Sequence, residues 1–90
     1  MKAIRWLPHA LTNLADREID REEADRTLAA PEFVVPGQPG CTIFMRRYFD
    51  VMLQKEMLLR MIIEETVDEV VVVTIYKTSQ IDKYMKGLVP

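Results

Sequence analysis

The chain has one cysteine, one histidine and one tryptophan, with only three glycines among its 90 residues. A lone cysteine closes no internal disulfide, and one cysteine with one histidine falls short of the usual zinc ligand sets, so no metal or other cofactor is expected. The sequence opens without an apolar signal segment. No run approaches the roughly 18–20 apolar residues of a membrane span, and a reduced, cytoplasmic protein with no membrane contact is the expectation. GxxxxGK, CxxC, HExxH and GxSxG are all missing, which leaves the P-loop, dithiol, zinc-protease and α/β-hydrolase chemistries without support. Neither sign of charge dominates. Twelve basic and fourteen acidic side chains give a net charge of −2, whereas domains devoted to holding nucleic acid carry a marked positive excess.

What is present fits an ordered domain. Nearly half the residues are hydrophobic and almost a third are charged, the mixture of a folding chain and not of a disordered tail. Ninety residues leave room for one core, so residues 1–90 are read as a single domain that hides roughly 60–65% of its unfolded surface. The acidic surplus lies in the first half. Within residues 74–90, Lys77, Lys83 and Lys86 face only Asp82, and a local cationic patch is open on a mildly acidic protein.

Apolar spacing supplies the elements. In PHALTNLADREI, Leu7, Leu11, Leu14, Ala15 and Ile19 recur at threes and fours, the period of a helix, and His9, Asn13 and Arg17 share a second strip of it. A second helix is expected from Asp20, an N-cap with Glu23 three residues on. Ala24 and Leu28 face inward, and Pro31 ends the helix. Beyond Glu32 the period becomes two. EFVV, TIFMRRYF, KEMLLRMIIEE and VVVVTIYK read as strands, joined by PGQPG and TVDE turns. Ser79 is expected to cap a short last helix that Gly87 ends. The sum is an α+β fold, with two N-terminal helices packed on a four-stranded antiparallel sheet and a short C-terminal helix.

A few residues invite chemistry. Arg60 stands in a row of apolar strand residues, and two readings stay open for it. Either it snorkels or pairs with a glutamate such as Glu56 or Glu64, or its guanidinium holds an anion. If the last hairpin has an even register, Arg60 shares a face with Thr74 or Tyr76, a guanidinium beside hydroxyls that suits a phosphodiester. His9 is the only side chain whose ordinary pKa lies near neutrality, so proton transfer near pH 7 favours it, although a hydrogen bond at a helix start accounts for it equally. Tyr76, Lys77, Thr78, Ser79, Lys83 and Tyr84 crowd the end of the driest strand. They offer phosphate donors and stacking rings, or simply a strand end followed by a capped helix.

Those residues resemble a bacterial family known only as domain of unknown function DUF4258. The likeness runs over almost the whole chain. It is carried by His9-Ala10, Arg17, Ile19 and Pro31, by Lys55 with Leu58-Leu59-Arg60, and by Val72 to Ser79 followed by Ile81, Lys83 and Tyr84. Three positions depart from it. Gln54 stands for a usual glycine, Met57 for a tyrosine and Met85 for a tryptophan. The family in turn is similar to RelE-like toxins, small α+β ribonucleases of toxin–antitoxin pairs. That resemblance implies RNA as substrate, a small antitoxin-like protein as partner, and cleavage without a metal, with a homodimer left open. His9, Arg60 and Tyr76 would be catalytic, and Arg17, Lys55, Lys77 and Thr78 would bind substrate. A non-catalytic interaction module and a binder of small anions are the rival expectations on the same scaffold.

Overall fold

The computed structural model describes residues 2–88. In chain order these form β1 (Ala3–Trp6), α1 (Pro8–Asp16), α2 (Arg21–Ala29), β2 (Phe33–Pro36), β3 (Thr42–Asp50), β4 (Lys55–Glu65), β5 (Glu69–Thr78) and α3 (Ile81–Met85). The class is α+β, but the sheet has five strands, in the order β1-β5-β4-β3-β2. Strands β2 to β5 make the expected antiparallel meander. The addition is β1, which runs parallel to β5 with Trp6 opposite Val72. It is four residues long and exposed up to Trp6, so no alternation marks it. What holds it is the unpaired edge of β5, which would otherwise present bare amide groups.

The helices do not all cover one face. Helices α1 and α2 lie over a core of Met57, Leu59, Met61, Ile63, Val72 and Ile75, with Ala10, Ala24 and Tyr48 among them. Helix α3 lies on the opposite face, where Met85 meets Met45 and Leu58 beside Ile81 and Tyr84. The alternation of β4 thus divides as its sequence implies, odd residues toward α1 and α2, and Leu58, Arg60 and Ile62 toward the other side. The adjacent arginines of β3 also part. Arg46 reaches Glu23 of α2 at 2.6 Å, and Arg47 grips Glu32 with two nitrogens.

Caps explain where the helices begin and end. Asp20 accepts the Glu22 amide at 2.9 Å and starts α2. Glu23 does not close the box, because its carboxylate is taken by Arg26 and Arg46. Ser79 is not the cap of α3. That position falls to Gln80, whose amide instead donates to the Thr78 hydroxyl at 3.0 Å. Gly87 takes a φ of 84° just after the helix, the left-handed turn expected of it. In the β3–β4 turn Gln54 also has a left-handed φ of 54°. This accounts physically for a glycine suiting that position, since a Cβ is strained there.

One irregularity in β5 governs the site. The register pairs Ile63 with Val72 and Ile62 with Thr74, leaving Val73 without a partner in β4. Val72 points into the α1/α2 core, so in an unbroken strand Thr74 and Tyr76 would follow it inward. The extra residue resets the alternation. Ile75 fills the core instead, and Thr74 and Tyr76 come out on the face of Arg60, with Tyr76 directly opposite it.

Candidate functional site

Strand β1 covers β5 only as far as Val72, where Leu7 makes the last of its backbone bonds, N–H to the Val72 carbonyl at 3.1 Å. Pro8 then starts α1, which packs along the uncovered remainder of β5. Two rises nearly agree here. Four residues of helix climb about 6.0 Å and two residues of strand about 6.6 Å. A helix parallel to a strand therefore keeps residues at i, i+4 and i+8 level with alternate strand residues.

That match sets Asn13 and Arg17 against β5, with His9 on the same strip joined to Asn13. The Asn13 amide donates to the Thr74 hydroxyl at 2.8 Å, and its nitrogen lies 3.1 Å from His9 Nε2. Arg17 donates to the Ile75 carbonyl at 2.9 Å, an edge acceptor with no strand to take it. Its guanidinium carbon stands 6.0 Å from the centre of the Tyr76 ring. Asn13 is buried, whereas Leu11 and Ala15 of the expected apolar stripe are exposed. The helix is turned so that its polar strip, not its leucine stripe alone, meets the sheet. Asn13 tolerates burial because both neighbours satisfy it.

Across the face from α1, Arg60 hydrogen-bonds the Tyr76 hydroxyl and lies over the Tyr84 ring, 4.0 Å from its centre. Lys83 stands 5.3 Å from the same ring. The residues thus form one band, His9–Asn13–Thr74 leading into Arg17–Tyr76–Arg60–Tyr84–Lys83.

Charge pairing singles out the band. Seven of the twelve basic side chains reach a carboxylate: Lys2, Arg5, Arg21, Arg26, Arg46, Arg47 and Lys77. Among the described residues Arg17, Lys55, Arg60, Lys83 and Lys86 do not, and Arg17, Arg60 and Lys83 are in the band. Arg60 is therefore not held by Glu56 or Glu64. A half-buried guanidinium at Arg60 and an exposed one at Arg17, neither meeting a described carboxylate, have the chemistry to hold an anion.

The tyrosines feel this field. The Tyr84 hydroxyl is drawn below its ordinary value, first by a hydrogen bond from Tyr76 and then by the Lys83 and Arg60 charges working against desolvation. Tyr76 is pushed up, chiefly by burial. In this pair Tyr84 is the first to give up its proton.

The other expected site residues lie apart. Lys77 faces the α1/α2 side, bound to Asp50 at 2.8 Å and to the Glu18 carbonyl at 3.1 Å. That ion pair is almost sealed, with 11% and 7% of the two side chains exposed. Lys55 is exposed at the start of β4, opposite Asp50. Thr78 is opposite Leu58 on the Arg60 face, with its hydroxyl engaged by the Gln80 amide. Asn13, Thr74, Lys83 and Tyr84 belong to the band without having been singled out as site residues. The i, i+4 spacing from His9 was the sequence signal for Asn13.

Over residues 6–77 the sequence matches the family described as Domain of unknown function (DUF4258). The chain belongs to that family. No curated protein and no solved structure matches it. The DUF4258 span contains His9, Asn13, Arg17, Arg60, Thr74 and Tyr76, and stops before Lys83 and Tyr84. In this DUF4258 chain the band is thus built mostly by the family segment, with α3 completing it from outside.

Proposed function

We propose that this protein is a metal-independent ribonuclease, a RelE-like toxin of a toxin–antitoxin pair whose activity a small antitoxin-like protein holds in check. The observation that carries the reading is the convergence on two tyrosines of three cations that meet no described carboxylate, with the histidine linked to the same band through Asn13. Arg17 and Arg60 would grip the non-bridging oxygens of one phosphate. His9 and Arg17 share one strip of α1 with Asn13 between them, which supports a reading in which the imidazole would flank the phosphate that the guanidinium groups would hold. The neutral imidazole exchanges the Asn13 amide at Nε2 for the RNA 2′-hydroxyl and takes its proton, and that oxygen attacks the adjacent phosphorus. The bond to the 5′-oxygen breaks as Tyr84, or Tyr76 beside it, supplies a proton. The products are a 2′,3′-cyclic phosphate and a free 5′-hydroxyl. The arginines stabilise the charge that grows on the phosphorane, the largest effect such a site can exert.

The test is a single-stranded RNA oligonucleotide incubated with the protein in chelator, with its ends identified by mass. Cyclic-phosphate ends are expected, and Arg60→Ala is expected to slow their appearance about 100-fold or more. His9→Ala should slow it by a similar factor. Thermal melts of both variants must match wild type. Intact RNA at high protein concentration would defeat the nuclease reading, and RNA bound without cleavage would leave the band an anion-binding surface only.

A further inference from the structure

The β3–β4 turn carries three consecutive apolar residues at its tip. Val51, Met52 and Leu53 are 72%, 71% and 47% exposed, with Phe49 before them at 58%. A tight turn needs no such residues, and hydrophobic side chains in a row at a tip have no structural role unless something covers them. Beside the tip is a cleft of about 380 Å³, walled by Phe49, Val51 and Met52 on one side and by Glu18, Asp20 and Glu23 on the other. Glu23 is neutralised by Arg26 and Arg46, but among the described residues Glu18 and Asp20 meet no cation. Lys55 closes the turn on the same sheet face as Asp50 and pairs with no carboxylate there.

We propose that this surface joins two copies of the chain across a two-fold axis. The apolar tip of each enters the acidic-walled cleft of the other, and Lys55 faces Glu18 and Asp20. A two-fold contact requires one patch to carry both halves of the complementarity. This patch does so, with a protruding apolar tip beside the cleft, and Lys55, which meets no described carboxylate, near Glu18 and the α2 cap Asp20, which meet no described cation. The contact lies beside the α1 end of the phosphate band, where Glu18 follows Arg17, while Arg60, Tyr76 and Tyr84 lie across the sheet.

Analytical ultracentrifugation of the full chain over a concentration series tests it. The wild type should sediment as a concentration-dependent dimer. Met52→Asp and, separately, Val51→Asp should give monomers with unchanged melting temperatures, since both side chains are exposed. Lys55→Glu should weaken the dimer at least tenfold, and Glu18→Lys added to it should restore the affinity. A wild type that stays monomeric throughout, or a dimer untouched by both tip variants, overturns the proposal. RNA cleavage, measured on the same samples, reports separately on the phosphate band.

Discussion

Arg60 was conspicuous in the sequence because a cation in an apolar strand row needs a reason. The reason is legible only in part. Its neighbours of opposite charge are nearby in the chain, yet it faces Tyr76 and Tyr84. Lys77, equally conspicuous, has the opposite fate and is locked to Asp50 in a nearly dry pair. Lys77→Met should therefore cost roughly 3 kcal/mol in urea unfolding, because it strands a buried carboxylate. Asp50 is held below the ordinary carboxylate range, first by the Lys77 hydrogen bond. Its contribution is complete above that range and fades as pH falls through the depressed value, so Lys77→Met should also flatten this part of the acid limb of stability. Gln54 offers a gain. Its left-handed φ favours glycine, although its side chain bonds the Val51 carbonyl. Gln54→Gly should raise stability by about 0.5–1 kcal/mol in the same assay. In the proposed cleavage with Tyr84 as proton donor, its lowered hydroxyl would set the alkaline limit of donation. Activity should decline as pH rises through that value, and Tyr84→Phe should remove this alkaline limb from the pH–rate profile.

The elements differ in how plainly the sequence announces them. Strands β3 to β5 each run nine residues or more as largely apolar segments bounded by turns, and α2 carries a cap and a stop, so both kinds were readable. Strand β1 was not, because four residues with one half-buried side chain hold no period; only the free edge of β5 creates it. The bulge at Val73 was hidden for a related reason. Four successive valines suit either face, and the sequence alone does not say where the alternation slips. Without that slip Tyr76 would point into the core and the band would not exist. The orientation of α1 also depended on tertiary context, since Asn13 becomes a buried contact only where Thr74 is at hand. Asn13→Ala should cost about 1–2 kcal/mol. It should also loosen His9 and Arg17 from β5, seen as faster amide exchange in α1 while β3 and β4 stay protected.

At the level of the whole molecule, the net charge of −2 hides a division of labour. Most arginines tie helices and edge strands to carboxylates, and those left over collect where α1, β4, β5 and α3 meet. Total charge therefore says little about whether one anionic group is recognised, although it limits how tightly a long nucleic acid is held. The central claim is that these leftover cations contact RNA phosphate. Its most direct measurement is the salt dependence of affinity for a 2′-O-methyl RNA oligonucleotide, which binds without being cleaved. Each phosphate contact contributes about 0.7 to the slope of log affinity against log salt for a single strand. Wild type should bind with a negative slope, and Arg60→Gln should reduce its magnitude by about 0.7. A slope unchanged by that substitution, or no measurable binding by the wild type, would contradict the account.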